Sequence, residues 1–174
     1  MKTVIFAYSR QGCKTARKIS ECFDGSSLFA PARLRDDGIT ALPSPSGVFY
    51  GEQFSQADVL IFVGSCGIAV RSIAPFVKSK QTDPAVLVVD ELGTFVISLL
   101  SGHIGGANAL AKGIAEKLGA QPVITTATDI HGRFSVDAWA AERGYAIGDM
   151  KLAKEISAAV LEGDVPLCSE FPLA

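Results

Sequence analysis

The chain has 174 residues, of which 48% are hydrophobic and 20% charged, and its formal net charge is −2. This composition is typical of a globular protein with a substantial core and excludes a disordered chain. A net charge so close to zero provides no basic field. We therefore expect the protein to bind neither nucleic acid nor an anionic membrane surface. The apolar runs are far shorter than the ~20 residues of a membrane-spanning helix, and we expect a cytoplasmic protein with reduced cysteines.

Strand and helix patterns alternate along the first half of the chain. Runs of buried-type apolar residues predict strands, and apolar residues at helical spacing predict the helices between them. Turn formers and two prolines make 36–47 a loop or a subdomain boundary. The predicted elements of this half are strands at 3–8, 28–30 and 59–63 and helices at 13–23 and 68–76.

The second half begins with two strand patterns, 85–89 and 94–99, whose short link favours an antiparallel hairpin. A continuous apolar stripe at 105–118 predicts a long helix, and Gly119 suits its carboxyl end. A strand at 121–125 follows. The rest is predicted to be mostly helical, with one helix from Ser135 to Gly144, another from Asp149 to Gly163, and a strand at 165–174.

These units predict an α/β fold: a mostly parallel sheet with helices on both faces plus one β-hairpin. Two small α/β subdomains remain an alternative. Ligands of such sheets bind beyond the carboxyl ends of the strands, so we expect the turns at 9–12, 64–67, 101–106 and 125–132 to form the site.

The stretch SGHIGGAN at 101–108 is the most unusual in the chain. Its glycines allow close approach of the backbone to a ligand. Amides at the start of a helix bind anions, so those of Gly105, Gly106 and the following turn are candidate oxyanion donors. His103 lies beside them, and histidine is well suited to proton transfer near neutral pH. The alternative is a tight turn in which His103 bonds backbone groups.

Charged side chains near other predicted turns are further candidates. Arg71 lies in the first two turns of a predicted helix, where a guanidinium can bind a carboxylate through two hydrogen bonds. Lys78 and Lys80 lie in a polar connection that is otherwise interpreted as a solvated loop. Glu91 can assist His103 if the hairpin leans over the histidine, although most acids in turns have no such role.

Four blocks of the sequence resemble, in order, the signature blocks of the CbiG family, the cobalt-precorrin 5A hydrolases of anaerobic cobalamin synthesis. They are GIAVRSIAP at 67–75, KQTDPAV at 80–86, the run 89–108 and ITTATD at 124–129. The block through 101–108 is the most specific of them.

The resemblance implies that water opens the δ-lactone on ring A of cobalt-precorrin 5A and that acetaldehyde is then released. It also implies no cofactor or protein-bound metal, because cobalt arrives inside the substrate. The residues themselves fit this chemistry, and we predict His103 as the catalytic base with Glu91 assisting it. The macrocycle's acetate and propionate groups would bind to cations and glycine-rich turns. The predicted substrate-binding residues, of which Lys78 and Lys80 rest on the resemblance, are Arg71, Lys78, Lys80, Ser101, Gly102, Gly105, Gly106, Asn108, Thr125 and Thr126.

Members of this family are normally longer and end in a domain that resembles the CobE protein. The resemblance therefore predicts the family's amino-terminal α/β domain at 1–122 and the start of its middle region at 123–174, without the CobE-like domain. The expected partners are the cobalt-tetrapyrrole substrate and a CobE-like domain or other enzymes of cobalamin synthesis.

Two other functions stay open. In one, the chain holds the tetrapyrrole without catalysis, and a separate carboxy-terminal domain supplies the activity. In the other, the glycine-rich turns bind a phosphate or a nucleotide, although the sequence lacks both the G-x-G-x-x-G pattern and a P-loop lysine.

Overall fold

The computed structural model describes residues 1–166 and 168. The chain forms two compact units, Met1–Ile124 and Thr125–Ala174. The first unit is built on one sheet. Its strands are β1 (Thr3–Ala7), β2 (Ser27–Ala30), β3 (Thr40–Ala41), β4 (Val59–Val63), β5 (Ala85–Val89), β6 (Phe95–Leu100) and β7 (Gln121–Val123).

The strands lie in the order β3-β2-β1-β4-β5-β6-β7. Every residue of β1, β4 and β5 is buried, as expected for apolar central strands that are covered on both faces. The helices of the chain are α1 (Arg10–Ser20), α2 (Gly47–Gln56), α3 (Cys66–Ile73), α4 (Ala107–Leu118), α5 (Ala127–Ile130), α6 (Val136–Glu142) and α7 (Met150–Glu162).

The direction of the strands divides the sheet. Strands β1 to β5 are parallel, β6 is antiparallel to β5, and β7 is parallel to β6. The carboxyl ends of β1, β4 and β5 therefore meet at one end of the sheet, which we call the carboxyl end. Strand β6 finishes at the other, which we call the opposite end.

Helices cover both faces of the sheet. Ala16 of α1 and Ile114 of α4 share one core cluster with Ile61. Tyr50 of α2 and Ala69 of α3 belong to the other cluster. Because β1 continues into α1 on one face and β4 into α3 on the other, the sheet has a topological switch point between β1 and β4.

The predicted fold class is confirmed, including the antiparallel hairpin of β5 and β6. Three local predictions were incomplete. Strand β3 lies inside the predicted loop at 36–47, and α2 was not predicted, although Tyr50 and Phe54 form its buried stripe. Helix α4 begins at Ala107, two residues later than expected.

The second unit contains α5, α6 and α7 within its described residues. Ser135 and Asp149 cap α6 and α7 as predicted, and their side chains accept hydrogen bonds from backbone amides of the first turn. Most of the strand predicted at 165–174 lies outside the described residues. No helix in the described part of the chain is both long enough and apolar enough to cross a membrane.

Candidate functional site

The histidine loop, residues 101–106, lies at the opposite end of the sheet, between β6 and α4. Ser101 begins it with a φ of 57°, a left-handed conformation that is uncommon for residues other than glycine. Its buried hydroxyl donates a 2.9 Å hydrogen bond to the carbonyl of Asp83. The histidine loop is thereby joined to the segment that precedes β5.

That segment is the lysine loop, residues 78–83. The Asp83 carboxylate accepts hydrogen bonds from the amides of Lys78 (2.9 Å) and Ser79 (3.0 Å), so this one residue organises the loop. Lys78 and Lys80 are exposed, and His103 is half-buried. The structure therefore brings a histidine and two lysines to the same end of the sheet.

Two glycines of the histidine loop are in close contact with their neighbours. A Cβ at Gly105 would lie 2.5 Å from Ser101 Cβ and 2.9 Å from the Ser101 carbonyl oxygen. One at Gly102 would lie 2.7 Å from Oδ1 of Asn108, which is itself buried. Real Cβ atoms do not make such contacts. At Gly105 the neighbour is Ser101 of the same loop, so the loop can close on itself only with glycine there, whereas a Cβ at Gly102 would require the Asn108 side chain to move.

The helix-start amides are used by the loop itself. The amide of Gly106 donates to the His103 carbonyl (3.0 Å), that of Ala107 to Ser101 (3.2 Å), and that of Asn108 to Gly102 (3.0 Å). The prediction that Gly106 and the following turn supply oxyanion donors is therefore wrong, whereas the same role for the Gly105 amide stays a prediction. The physical reason is that the left-handed turn at Ser101 points the loop's carbonyls at the helix start.

The prediction that Glu91 assists His103 is also wrong. The hairpin pairs Val89 with Val96 and Val86 with Leu100, which puts Glu91 at the carboxyl end and His103 at the opposite end. Glu91 instead links the hairpin to α1 through two hydrogen bonds. Its carboxylate accepts a hydrogen bond from the Ser9 hydroxyl (2.5 Å), and its carbonyl accepts one from the Thr15 hydroxyl (2.6 Å).

Arg71 lies with Glu91 at the carboxyl end. Its terminal guanidinium nitrogens are 3.2 Å from the position that a Cβ would occupy at Gly67, so the side chain folds back to the start of α3. The turns at 9–12 and 64–67 follow β1 and β4 and also lie there. The expectation that they share one end with 101–106 is wrong because β6 runs against β5.

Thr125 and Thr126 begin the second unit. Thr125 is exposed, and Thr126 precedes the four-residue helix α5. The Thr126 hydroxyl donates a 3.0 Å hydrogen bond to the carboxylate of Asp129. A role for the two threonines in substrate binding stays a prediction.

Sequence reasoning missed a polar group at the carboxyl end. The hydroxyls of Tyr8 and Tyr50 are 2.9 Å apart, and burial raises the pKa of Tyr8 above its ordinary value. Arg33 donates a 3.3 Å hydrogen bond to the Tyr8 carbonyl. The available signal was the position of Tyr8, a residue with a polar tip at the end of an apolar strand pattern.

Metal-ligating side chains do not cluster in the part of the chain that the structure describes. No three His, Cys, Asp or Glu side chains there are placed to hold a metal ion. The four cysteines are free thiols; Cys13 is buried and Cys66 exposed. Function without a bound cofactor stays a prediction.

Residues 48–129 match the protein family described as Cobalamin synthesis G N-terminal. The chain is 40% identical over 149 residues to a cobalt-precorrin-5A hydrolase from Salmonella typhimurium, covering 86% of this chain and 42% of that protein. It is 35% identical over 162 residues to a cobalt-precorrin-5A hydrolase from Priestia megaterium, covering 90% and 43%.

A solved structure supports the fold. It is described as a cobalamin biosynthesis protein G homolog from Sulfolobus solfataricus, with a TM-score of 0.55, 23% identity, and coverage of 98% of this chain and 51% of that one. This chain spans about two-fifths of the length of the two curated relatives. The matched blocks include both loops at the opposite end of the sheet, and residues 48–129 carry the amino-terminal region of the CbiG family.

Proposed function

We propose that this chain carries the lactone-opening site of a cobalt-precorrin-5A hydrolase and that the site is the histidine loop with the lysine loop. The observation that carries the proposal is the hydrogen bond from Ser101 to Asp83, which holds His103 beside the segment of Lys78 and Lys80. The activity named for the two curated relatives supports it.

His103 is assigned the role of general base. It removes a proton from the water that attacks the lactone carbonyl, and a positioned base of this kind contributes ~10²–10⁴ in rate. The amides at the start of α4 bond the loop's own carbonyls. We therefore assign to Lys78 and Lys80 the role of balancing the negative charges of the substrate and of the oxyanion. They would bind carboxylates of the macrocycle and stabilise the oxyanion.

The substrate brings its own cobalt in this proposal, and the chain needs no cofactor. Opening the lactone consumes one water, and the two-carbon fragment then leaves as acetaldehyde. The proposed partner is the remainder of a longer family protein or a separate CobE-like domain, and the proposed location is the cytoplasm. The proposal of such a partner follows from the length of the relatives, of which the chain spans about two-fifths.

The test measures acetaldehyde release from cobalt-precorrin 5A by the wild-type chain and by His103→Gln. The chain's other histidine provides a matched control, since His131 is exposed in the second unit and lies outside the proposed site. We expect His103→Gln to lose at least ~10²-fold in kcat and His131→Gln to keep its activity. Equal activity of both variants would remove His103 from the mechanism.

The assay has a second arm, in which the carboxy-terminal part of a longer relative is added. Release by the chain alone places the whole reaction in these residues. If acetaldehyde is released only after the carboxy-terminal part is added, the chain supplies one part of the site. In that case His103 should still be required for release. Binding of a cobalt corrinoid with no release in either arm would contradict the hydrolase proposal.

A further inference from the structure

The switch-point crevice lies at the carboxyl end, away from the histidine loop. We define it by Tyr8, Arg33, residues 64–67 and Arg71. It lies between β1 and β4, because the helices that follow these two strands pack on opposite faces of the sheet. Open α/β sheets bind ligands at such points. One five-residue strand, roughly 15 Å, separates the crevice from the histidine loop.

Two arginines contribute to the crevice. Arg33 donates a hydrogen bond to the Tyr8 carbonyl, and the Arg71 guanidinium lies over Gly67, in the turn whose Gly64 contacts the Tyr8 ring. Within the described residues neither forms an ion pair, whereas Arg17 binds Asp36 at 2.9 Å. Each guanidinium therefore keeps donors of the geometry that matches a carboxylate.

The phenols add neutral donors beside these charges. The Tyr8 ring lies 3.2 Å from the position of a Cβ at Gly64, so it forms the wall between β1 and β4. Its hydroxyl bonds that of Tyr50, which is only 7% exposed. Because burial raises the pKa of Tyr8, its phenol brings no negative charge to the crevice.

Three acids of the first unit are engaged by other groups. Asp36, which together with Arg33 lies close enough to act on the Cys13 thiol, pairs with Arg17 at 2.9 Å. Both Asp90 carboxylate oxygens accept amide hydrogen bonds inside the hairpin, from Leu92 and Phe95. Glu91 is held by the Ser9 hydroxyl. Within the described residues, the crevice thus has two guanidinium groups that form no ion pair of their own.

The geometry points to a second ligand site in this crevice, which binds a small molecule with two or more carboxylates between Arg33 and Arg71. Two separate guanidinium groups suit a polycarboxylate better than a single carboxylate. The inference uses no residue of the histidine loop or the lysine loop, and its test measures binding rather than hydrolysis, so it can fail while the hydrolase proposal stands.

The test is a titration of the ¹⁵N-labelled chain with tricarballylate, followed by amide chemical shifts. We expect saturable shifts at Tyr8, Ser9 and 64–67. The double variant R33Q/R71Q should bind at least about tenfold more weakly, because it loses charge-assisted hydrogen bonds. The variant K151Q/K154Q, which removes the same charge from two exposed positions of α7, should bind as the wild type does.

Three results would overturn the inference. They are shifts confined to 101–108, a titration that R33Q/R71Q leaves unchanged, and inorganic phosphate binding as tightly as tricarballylate at the same amides. The spectrum of R33Q/R71Q reports its folding, and the single variants R33Q and R71Q replace it if its peaks lose their dispersion. None of these readouts depends on acetaldehyde release.

Discussion

The hydroxyl of Ser101 donates a 2.9 Å hydrogen bond to the backbone carbonyl of Asp83, and through it the histidine loop is fixed to the lysine loop. Ser101 makes this bond from a left-handed backbone conformation. Strained residues of this kind persist only where their surroundings hold them, and they cluster at functional sites.

Substitutions at Ser101 should separate the hydrogen bond from the backbone strain. Ser101→Ala removes the buried bond and should lower the free energy of unfolding by about 1 kcal/mol. Ser101→Gly loses the same bond but adopts the left-handed conformation freely, so it should be about 1 kcal/mol more stable than Ser101→Ala. Urea unfolding measures the stability of both variants. A Ser101→Gly variant less stable than Ser101→Ala would contradict the claim that the backbone at residue 101 is strained.

Two Gly→Ala substitutions should change stability in opposite directions. Gly105→Ala places a Cβ 2.5 Å from Ser101 Cβ, and such overpacking typically costs about 1–3 kcal/mol. Gly113→Ala lies on the exposed face of α4 with no atom within 4 Å of the new Cβ, and it should stabilise the chain by about 0.5–1 kcal/mol. Thermal unfolding distinguishes them; equal effects would show that the loop does not close on Gly105.

The hydrogen bond between Thr15 and the hairpin predicts a structural role for Thr15. Thr15→Val removes the hydroxyl that binds the Glu91 carbonyl, and it should cost about 1 kcal/mol of unfolding free energy. Thr3→Val is the matched control, because the buried Thr3 hydroxyl has no hydrogen-bond partner to lose. A Thr15→Val variant as stable as Thr3→Val would argue against a stabilising hydrogen bond between Thr15 and Glu91.

The Cys13 thiol should react slowly with Ellman's reagent and Cys66 rapidly. Burial raises the pKa of Cys13, which lowers its thiolate fraction, whereas Cys66 is exposed. Because the folded chain keeps the Cys13 proton to higher pH than the unfolded chain, this contribution to stability is present below about pH 8.5 and decreases above it. Cys13→Ala should reduce that alkaline decrease and Cys66→Ala should not; the reverse order of reactivity would refute the burial.

The alternation of strand and helix patterns was enough to predict the parallel sheet and the hairpin. Strands β4 and β5 were predicted at their observed bounds because fully buried strands are continuous apolar runs. Helix α2 was missed because its signal is confined to Tyr50 and Phe54, one turn apart.

The site was harder to predict because it depends on chain direction and on one backbone angle. The hairpin that the sequence predicts already reverses β6, and this alone separates His103 from Glu91 and Arg71. The use of the helix-start amides depends on the left-handed Ser101, and a serine gives no sequence signal for a positive φ. Pairing of Ser101 with Asp83 is a contact between loops that no local pattern contains.

The most direct test of catalysis at the histidine loop compares His103→Gln with Glu91→Gln in acetaldehyde release from cobalt-precorrin 5A, with the carboxy-terminal part of a relative present. We predict a loss of at least ~10²-fold for His103→Gln and activity close to wild type for Glu91→Gln, whose amide can still accept the hydrogen bond of Ser9. Loss of activity in Glu91→Gln, with His103→Gln still active, would place the chemistry at the carboxyl end of the sheet and contradict the proposed site.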